Sequence, residues 1–429
     1  MRIRICLLIC AAALFVMATS AVAGLSYVPN TYGLSARGVG MANALTAVTD
    51  DVGAVFFNPA SLAIPKSSRV GLGYIYGAPF LSSEGPGGKM EFDSSNEVVT
   101  VGMSLDMHKL FTSGRGLGFG LGLTIDENGK AFIRFEDRRS DDGQFLRYGS
   151  TSAAIVAGAG IEVIPMLNLG AGIILQLHGG TALAVNTDLG GNATNESMSL
   201  GSDTYPTPIV SALVRLEPIN IGLTWRAENF GEMGPITADT LATVGGSPLA
   251  TLPLKLSYRD AFIPMQVALG VAYDISPELL LAFDFTWHQW SRFVDIVEEK
   301  DDARRDSQFD FRDTFVPRLG IEWNISEAHT LRAGYFYDMT PVDGIGTYRP
   351  YEDMPNVLGF VIVDNDKHAA SLGYGFSWID VPKLNQPIKV DLAYQFHYLV
   401  PRTTKTSDGY KFQSEGTVHT GALTFSFGF

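Results

Sequence analysis

The sequence predicts an all-β protein, a transmembrane antiparallel β-barrel of about 14 strands plugged by a small N-terminal helical hatch. Along most segments after residue 66, apolar side chains alternate with glycine or small polar residues, as in the run Leu117–Ile125. Glycine on the second face suits a lipid-facing wall around a filled lumen, whereas a soluble sandwich usually carries charge there. Short turns also alternate with long connections, as in outer-membrane barrels. Finally, residues 35–65 fit neither a strand nor a linker.

The segment Ser35–Pro65 is expected to form a compact plug inside the barrel. Apolar residues recur at helical spacing from Val39 onward, and the break at residues 50–53 is expected to end that helix. A second short turn follows and stops at Asn58-Pro59-Ala60. Proline disfavours a helical conformation of the preceding residue. Asn58 is therefore expected to be extended, with its amide able to bond elsewhere.

The first residues have the composition of a secretory signal peptide. Two arginines precede the apolar run Ile5–Val16, and small residues follow at Ala21-Val22-Ala23. The apolar run is too short to span a membrane as a helix. Both cysteines lie inside this segment, so the mature chain would have no thiol for a disulfide or a metal site. We expect a signal peptide at 1–23, a hatch at 24–66 and the barrel at 67–429.

Four stretches carry a family resemblance. They are the run SARGVGMANA followed by DD and FFNPASLA within Ser35–Ala63, the stretch Phe311–Asp343, Asp364–Lys367 at the start of a strand, and the closing hairpin Tyr410–Phe429. In this order they resemble the FadL-type (OMPP1/FadL/TodX) outer-membrane transporters of long-chain fatty acids and other hydrophobic compounds. The resemblance implies the outer membrane of a Gram-negative bacterium and passive, ligand-gated uptake of hydrophobic small molecules.

The resemblance also implies an exit route. In FadL-type proteins the substrate leaves sideways, by lateral diffusion through a gap that a kinked third strand opens in the barrel wall. Here Asn128-Gly129 interrupts the third predicted strand, and Asn-Gly favours a bulge or a turn. A simple hairpin at this point is the alternative, but it would spoil the even strand count.

Several charged or histidine residues are expected to face the lumen, and they are the candidates for contact with substrate: Arg226, Arg318, Arg332, His178 and His288. A salt-bridge network that pins the hatch to the wall is the favoured alternative, because buried charge is usually paired. FadL-type fatty-acid transporters carry a basic cluster on the strand that corresponds to Leu167–Val185. This chain has only His178 near that place, which leaves room for a neutral hydrocarbon as substrate.

Two of the long outer connections are unusually apolar. The connection 229–255 and the connection 340–365 offer the candidates for capture of substrate at the barrel mouth: Leu249, Leu252, Leu358 and Phe360. An exposed apolar patch usually marks a binding surface. Dense packing of loops over the mouth explains the pattern equally well.

Aromatic residues mark the membrane boundary and the chain end. Four tryptophans share the parity of outward residues and are expected to form an interfacial girdle: Trp225, Trp287, Trp323 and Trp378. Trp290 has the opposite parity, toward the lumen. The terminal Phe429 closes an alternating strand and resembles the signal that the barrel-assembly machinery reads.

Other function classes find little support. The formal net charge of −14 argues against nucleic acid. The string Asp364–Asp366 lacks the remaining ligands of a calcium loop, and no nucleophile elbow accompanies the glycines after His178. We expect no enzyme, metal or cofactor, and a monomer whose partners are a hydrophobic substrate, outer-membrane lipid and lipopolysaccharide. The alternatives are a general porin for polar solutes, an outer-membrane lipid-modifying enzyme and an adhesin.

Overall fold

A computed structural model gives the fold of most of the chain. It describes residues 31–48, 51–64, 67–85, 88–92, 95–108, 116–126, 134–137, 153–187, 193–244, 247–292, 296–297, 311–341, 360–379, 386–405 and 411–429.

The described residues form short helices and many strands. The helices are α1 (Ala36–Gly40), α2 (Ala54–Phe57) and two 3-10 turns, Pro59–Ala63 and Trp290–Arg292. The strands are β1 (Arg69–Gly85), β2 (Gly88–Phe92), β3 (Asn96–Asp106), β4 (Leu117–Asp126), β5 (Arg134–Asp137), β6 (Ala153–Ile164), β7 (Leu167–Thr187), β8 (Ala193–Leu216), β9 (Ile219–Arg226), β10 (Asn229–Val244), β11 (Ser247–Ile263), β12 (Met265–Ser276), β13 (Leu279–Gln289), β14 (Ile296–Val297), β15 (Thr314–Asn324), β16 (His329–Asp338), β17 (Phe360–Val363), β18 (Lys367–Trp378), β19 (Ile388–Lys405) and β20 (Lys411–Gly428). In the part of the chain that the structure describes, no helix is long and apolar enough to cross a membrane.

Fourteen of these strands form a closed antiparallel barrel. Each pairs with the next in the order β1, β3, β4, β6, β7, β8, β9, β12, β13, β15, β16, β18, β19, β20. The last strand returns to the first, from Arg69 opposite Gly428 to Glu84 opposite Gln413. A closed ladder leaves no unpaired edge, which is what a hydrocarbon environment requires. The predicted fold class is confirmed.

The two faces of the wall differ as the alternation predicts. Large apolar side chains are exposed on the outer face, among them Leu372, which is 66% exposed, and Phe119 on β4. The alternate residues of β4, such as Gly118 and Gly120, are buried against the interior. Three of the four predicted girdle tryptophans are exposed on the outer side, and they are Trp225, Trp323 and Trp378.

The hatch lies inside the barrel and is almost wholly buried. The predicted helix from Val39 to residues 50–53 is wrong in length, because α1 ends at Gly40. Ala42 and Asn43 adopt left-handed φ angles of 52° and 59°, which no α-helix continues. The second turn is as predicted: α2 ends at Phe57, and the next residue, Asn58, is extended with φ of −159° and ψ of 93°.

Hatch and wall meet backbone to backbone. A Cβ atom added at Gly118 on β4 would collide with the carbonyl oxygen of Leu62. One added at Gly222 on β9 would collide with the carbonyl oxygen of Thr46. These glycines are therefore required by close approach, and they explain why the inner face carries so few side chains.

Two regions expected to be long connections contain strands. β8 begins at Ala193 and stays paired with β7 up to Thr187, while β10 and β11 form a hairpin within 229–263. Barrel strand β12 starts only at Met265, after Pro264. The sequence pattern could not reveal these extensions, because strands beyond the bilayer need no apolar outer face. Pairing with a neighbouring strand satisfies their backbone groups.

We predict that Gly118→Ala destabilises the folded barrel. The added methyl group meets a backbone carbonyl, which cannot rotate away, and overpacking of this kind costs roughly 1–3 kcal/mol. Gly421→Ala is the matched control, because nothing lies within 4 Å of a Cβ atom at that position on β20. The temperature at which the heat-modifiable band is lost should fall for Gly118→Ala alone. Equal temperatures for both variants would contradict the close contact.

Candidate functional site: the hatch and the lumen above it

The Asn58 side chain ties the hatch to itself and to the wall. Its amide nitrogen donates to the carbonyl oxygen of Thr46 at 2.7 Å and to that of Ala212 on β8 at 3.3 Å. Its amide oxygen accepts from the backbone of Ala60 at 3.0 Å, and the same N–H donates to the Ser211 hydroxyl on β8. Pro59 begins the 3-10 turn that follows Asn58, so the buried Asn58-Pro59-Ala60 motif joins the hatch to the wall.

The hydrogen bonds of this motif to the wall are on β8 and not on the third barrel strand, β4. The wall residue that the Asn58 amide binds, Ala212, is on β8. β4 pairs with β3 and β6 without a register shift up to Asp126 and Ile125. The predicted kink at Asn128-Gly129 lies outside the described residues. The next described segment, β5, pairs with β17 in a separate two-stranded sheet.

A chain of ion pairs links α1 to the wall. Arg37 holds Glu322 on β15 with two hydrogen bonds of 2.7 Å. Arg332 on β16 donates to Glu322 and to Asp391 on β19, each at 2.6 Å. The four side chains are almost wholly removed from solvent. Paired in this way, the buried charges compensate one another, and breaking one pair would leave an uncompensated charge.

Two further arginines bind hatch carbonyl groups. Arg226 on β9 donates to the carbonyl oxygens of Phe56 and Phe57, at 2.6 and 3.1 Å, and its guanidinium lies 4.3 Å from the Phe56 ring centroid. Arg318 on β15 donates to the carbonyl oxygen of Ala42 at 3.1 Å. Inward orientation is as predicted for all three arginines, and their observed partners are those of a network that pins the hatch.

A polar layer covers the upper side of the hatch. Asp284 on β13 accepts from the backbone of Thr46 at 2.9 Å, and His288 on the same strand is 8% exposed. With Gln266 and Arg318 they surround a cavity of about 20 Å³. That volume has room for about one water molecule. A cavity of this size has no room for a hydrophobic compound.

One hatch carboxylate, that of Asp51, is held by hatch donors. Asp51 accepts from the Ser35 hydroxyl at 3.1 Å and from the backbone of Gly53 at 2.7 Å. Burial raises the pKa of the Asp51 carboxyl above its usual value, while nearby Arg37 and the two hydrogen bonds oppose the rise. Because Ser35 also caps α1, accepting from Gly38 at 3.0 Å, the two hatch segments are joined.

An aromatic cluster lies on the extracellular side of the polar layer. Trp290 packs between Phe262 and Phe311, with ring centroids 5.9 and 6.0 Å apart. Trp290 follows His288 by two residues and Phe262 precedes Gln266 by four, each with inward parity. We name these three residues the mouth cluster. Parity predicted the direction of Trp290, but the two phenylalanines were missed because they come from distant segments.

The other predicted contacts stay predictions. Leu358 lies outside the described residues. His178 is on β7, Leu249 and Leu252 are on β11, and Phe360 is on β17, and for these four only the backbone is described.

The chain is similar in sequence to known outer-membrane transport proteins. A model of the family described as "Outer membrane protein transport protein (OMPP1/FadL/TodX)" matches residues 254–429. Alkane uptake protein A of Marinobacter nauticus is 23% identical over 423 residues, covering 92% of this chain and 90% of that protein.

Solved structures share the fold. A FadL homologue of Pseudomonas aeruginosa superposes with a TM-score of 0.62 at 17% identity, covering 92% of this chain and 98% of that one. The toluene transporter TodX of P. putida gives 0.52 at 16% identity, covering 93% and 99%. The resemblance to the FadL-type outer-membrane transporters is therefore confirmed, by the family model over the carboxyl-terminal part of the chain and by the fold over nearly all of it.

Proposed function

We propose that the protein takes up neutral hydrophobic small molecules passively across the outer membrane of a Gram-negative bacterium. The observation that carries this proposal is the aromatic mouth cluster above a tightly packed polar layer. A general porin needs an open, water-filled lumen. Here the described lumen holds a hatch that wall side chains bind by its backbone or by its arginine, among them Ser211, Arg226, Asp284, Arg318 and Glu322.

The use of the lumenal arginines favours an uncharged substrate. A fatty-acid carboxylate would be held best by arginine's planar fork. Yet Arg226 and Arg318 donate to hatch carbonyl groups, and Arg332 donates to two carboxylates. Redirecting any of them would leave a buried polar group unsatisfied, which costs about 1–3 kcal/mol or more. The name of the alkane uptake relative agrees with this inference.

We further propose exit through the wall at Asn128-Gly129. A bilayer route suits apolar solutes, because a passage down the axis would need the whole network of hatch contacts to break. The hatch already reaches the third barrel strand, where Leu62 and Ala63 lie against Gly118 and Gly116. A gap beyond Ile125 would lie further along this same strand, toward its extracellular end.

The remaining partners follow from the location. Outer-membrane lipid and lipopolysaccharide surround the exposed apolar face, and a signal peptide at 1–23 would direct export. The Phe429 backbone N–H donates to the carbonyl oxygen of Ser68 at 2.8 Å, so the terminal aromatic ends the closing ladder where assembly factors would read it. We propose a monomer, because the barrel completes itself.

We predict that Trp290→Ala lowers hydrocarbon uptake. Loss of the central ring of the mouth cluster removes about 1 kcal/mol of aromatic contact, which is roughly a fivefold change in binding. Cells lacking their own hydrocarbon transporters and expressing equal surface amounts would be given labelled n-alkane. Trp378→Ala, an outward tryptophan, is the control. Equal uptake by both variants and the parent chain would exclude the mouth cluster from the path.

We predict that deleting Asn128 and Gly129 together keeps the barrel but abolishes hydrocarbon uptake. Removal of two residues preserves side-chain parity, since the strand period is two. The third strand could then pair continuously and close the wall. Labelled alkane should still bind to whole cells but should not reach the cytoplasm. Transport at the parental rate by a correctly inserted variant would rule out lateral exit.

We predict that Arg226→Ala makes the lumen leak ions. The variant frees the carbonyl groups of Phe56 and Phe57 and loosens α2 against the wall. Arg215→Ala, on the periplasmic end of β8, is the control, because its guanidinium binds Pro165 and Glu162 away from the hatch. Single-channel recordings should show intermittent openings for Arg226→Ala only. A large, steady conductance in the parent chain would favour the porin alternative instead.

A further inference from the structure

The outer wall carries an open apolar groove on strands β15, β16, β18 and β19. Its volume is about 690 Å³. Large side chains form its sides, and they are Ile321, Trp323, Leu331, Leu372, Tyr374 and Leu392. We call it the lipid-side groove.

A single small residue creates the depression. Ala333 stands directly opposite Ile321 on β15 and Leu372 on β18. Its neighbours of the same parity on β16, Leu331 and Tyr335, are exposed on the outer face. A methyl group between four large side chains leaves a hollow, and an apolar hollow without an occupant forfeits dispersion contacts.

The size and the open, lipid-facing shape of the groove suit an alkyl chain rather than a small solute. A cavity of roughly 150 Å³ already accepts benzene. The lipid-side groove is several times larger, is almost wholly apolar and continues the lipid-facing surface of the barrel. Its natural occupant is therefore a chain from the surrounding bilayer.

The position of the groove along the strands shows which leaflet of the membrane it faces. The turn between β15 and β16, residues 325–328, is short, and short turns face the periplasm. Trp323 and Leu331 form the last pair but one before this turn, so the groove lies in the periplasmic half of the wall. That leaflet of an outer membrane consists of phospholipid.

A polar group stands at the periplasmic rim. The Nδ1 atom of His329 lies 2.6 Å from the hydroxyl oxygen of Tyr374, and its ring also contacts Phe376. When the tyrosine hydroxyl donates to Nδ1, the proton of the neutral ring is on Nε2. That N–H is then a donor for a phosphate at headgroup depth.

We propose that the lipid-side groove is a specific phospholipid site: one acyl chain fills the hollow over Ala333, and the lipid phosphate accepts a hydrogen bond from His329. The site is separate from the lumen and from the proposed exit on the third barrel strand. It fixes one lipid on the opposite side of the barrel wall.

The test fills the hollow over Ala333 with a larger side chain. The full chain, purified in mild detergent, is titrated with dioleoyl phosphatidylethanolamine, and native mass spectrometry measures the fraction that holds one lipid. Ala333→Leu should lower that fraction at least fivefold. Ala159→Leu makes the same change on the exposed face of β6 and should leave it unchanged. Equal retention by Ala333→Leu and the parent chain, or equal loss in both variants, overturns the proposal.

A second pair of measurements tests the headgroup. His329→Gln should lower retention of phosphatidylethanolamine two- to threefold and leave dioleoylglycerol, which lacks the phosphate, unaffected. Equal retention of both lipids by the parent chain overturns the phosphate contact. Ala333→Val, a smaller filling, replaces Ala333→Leu if the latter does not give a heat-modifiable barrel, and it should lower retention by an intermediate amount.

Discussion

The contact between the hatch backbone and the wall backbone is the constraint on which the rest of the structure depends. A barrel wall in lipid pairs its backbone groups mainly with neighbouring strands, so the wall side chains supply most of the hydrogen bonds to the hatch. The hatch can approach only where side chains are missing. Gly118, Gly170 and Gly222 supply those places on β4, β7 and β9, where an added Cβ atom would meet hatch backbone.

Close approach leaves the hatch carbonyl groups in need of donors, and the wall side chains provide them. Arg226 and Arg318 bind the carbonyl oxygens of Phe56, Phe57 and Ala42, while Arg37 reaches outward to Glu322. Inside a medium of low dielectric these hydrogen bonds are strong, and any one of them is costly to break. The lumenal charges are thus primarily structural, and the same fact disfavours a charged substrate.

The interior is layered as a result. The hatch fills the lower lumen, a tight polar layer with Asp284 and His288 closes it from above, and the mouth cluster around Trp290 offers the apolar surface. A hydrophobic compound that reaches the cluster finds bonded polar groups below it.

The sequence by itself determined the class of fold, the location of the hatch and the direction of most lumenal residues. Alternation has a period of two, so inward placement of Arg226, Arg318 and Arg332 follows from parity once strands are recognised. The extended conformation of Asn58 follows from the proline after it. Such local rules need no knowledge of neighbours.

Only the tertiary structure decided which groups meet. The partner of Asn58 on the wall is Ala212 on β8, the mouth cluster gathers Phe262 and Phe311 around Trp290, and Ala333 makes a hollow because Ile321 and Leu372 stand beside it. The sequence also did not predict the end of α1 at Gly40 or the strands beyond the bilayer. Each depends on register around a closed ring, and no local pattern encodes register between segments far apart in the chain.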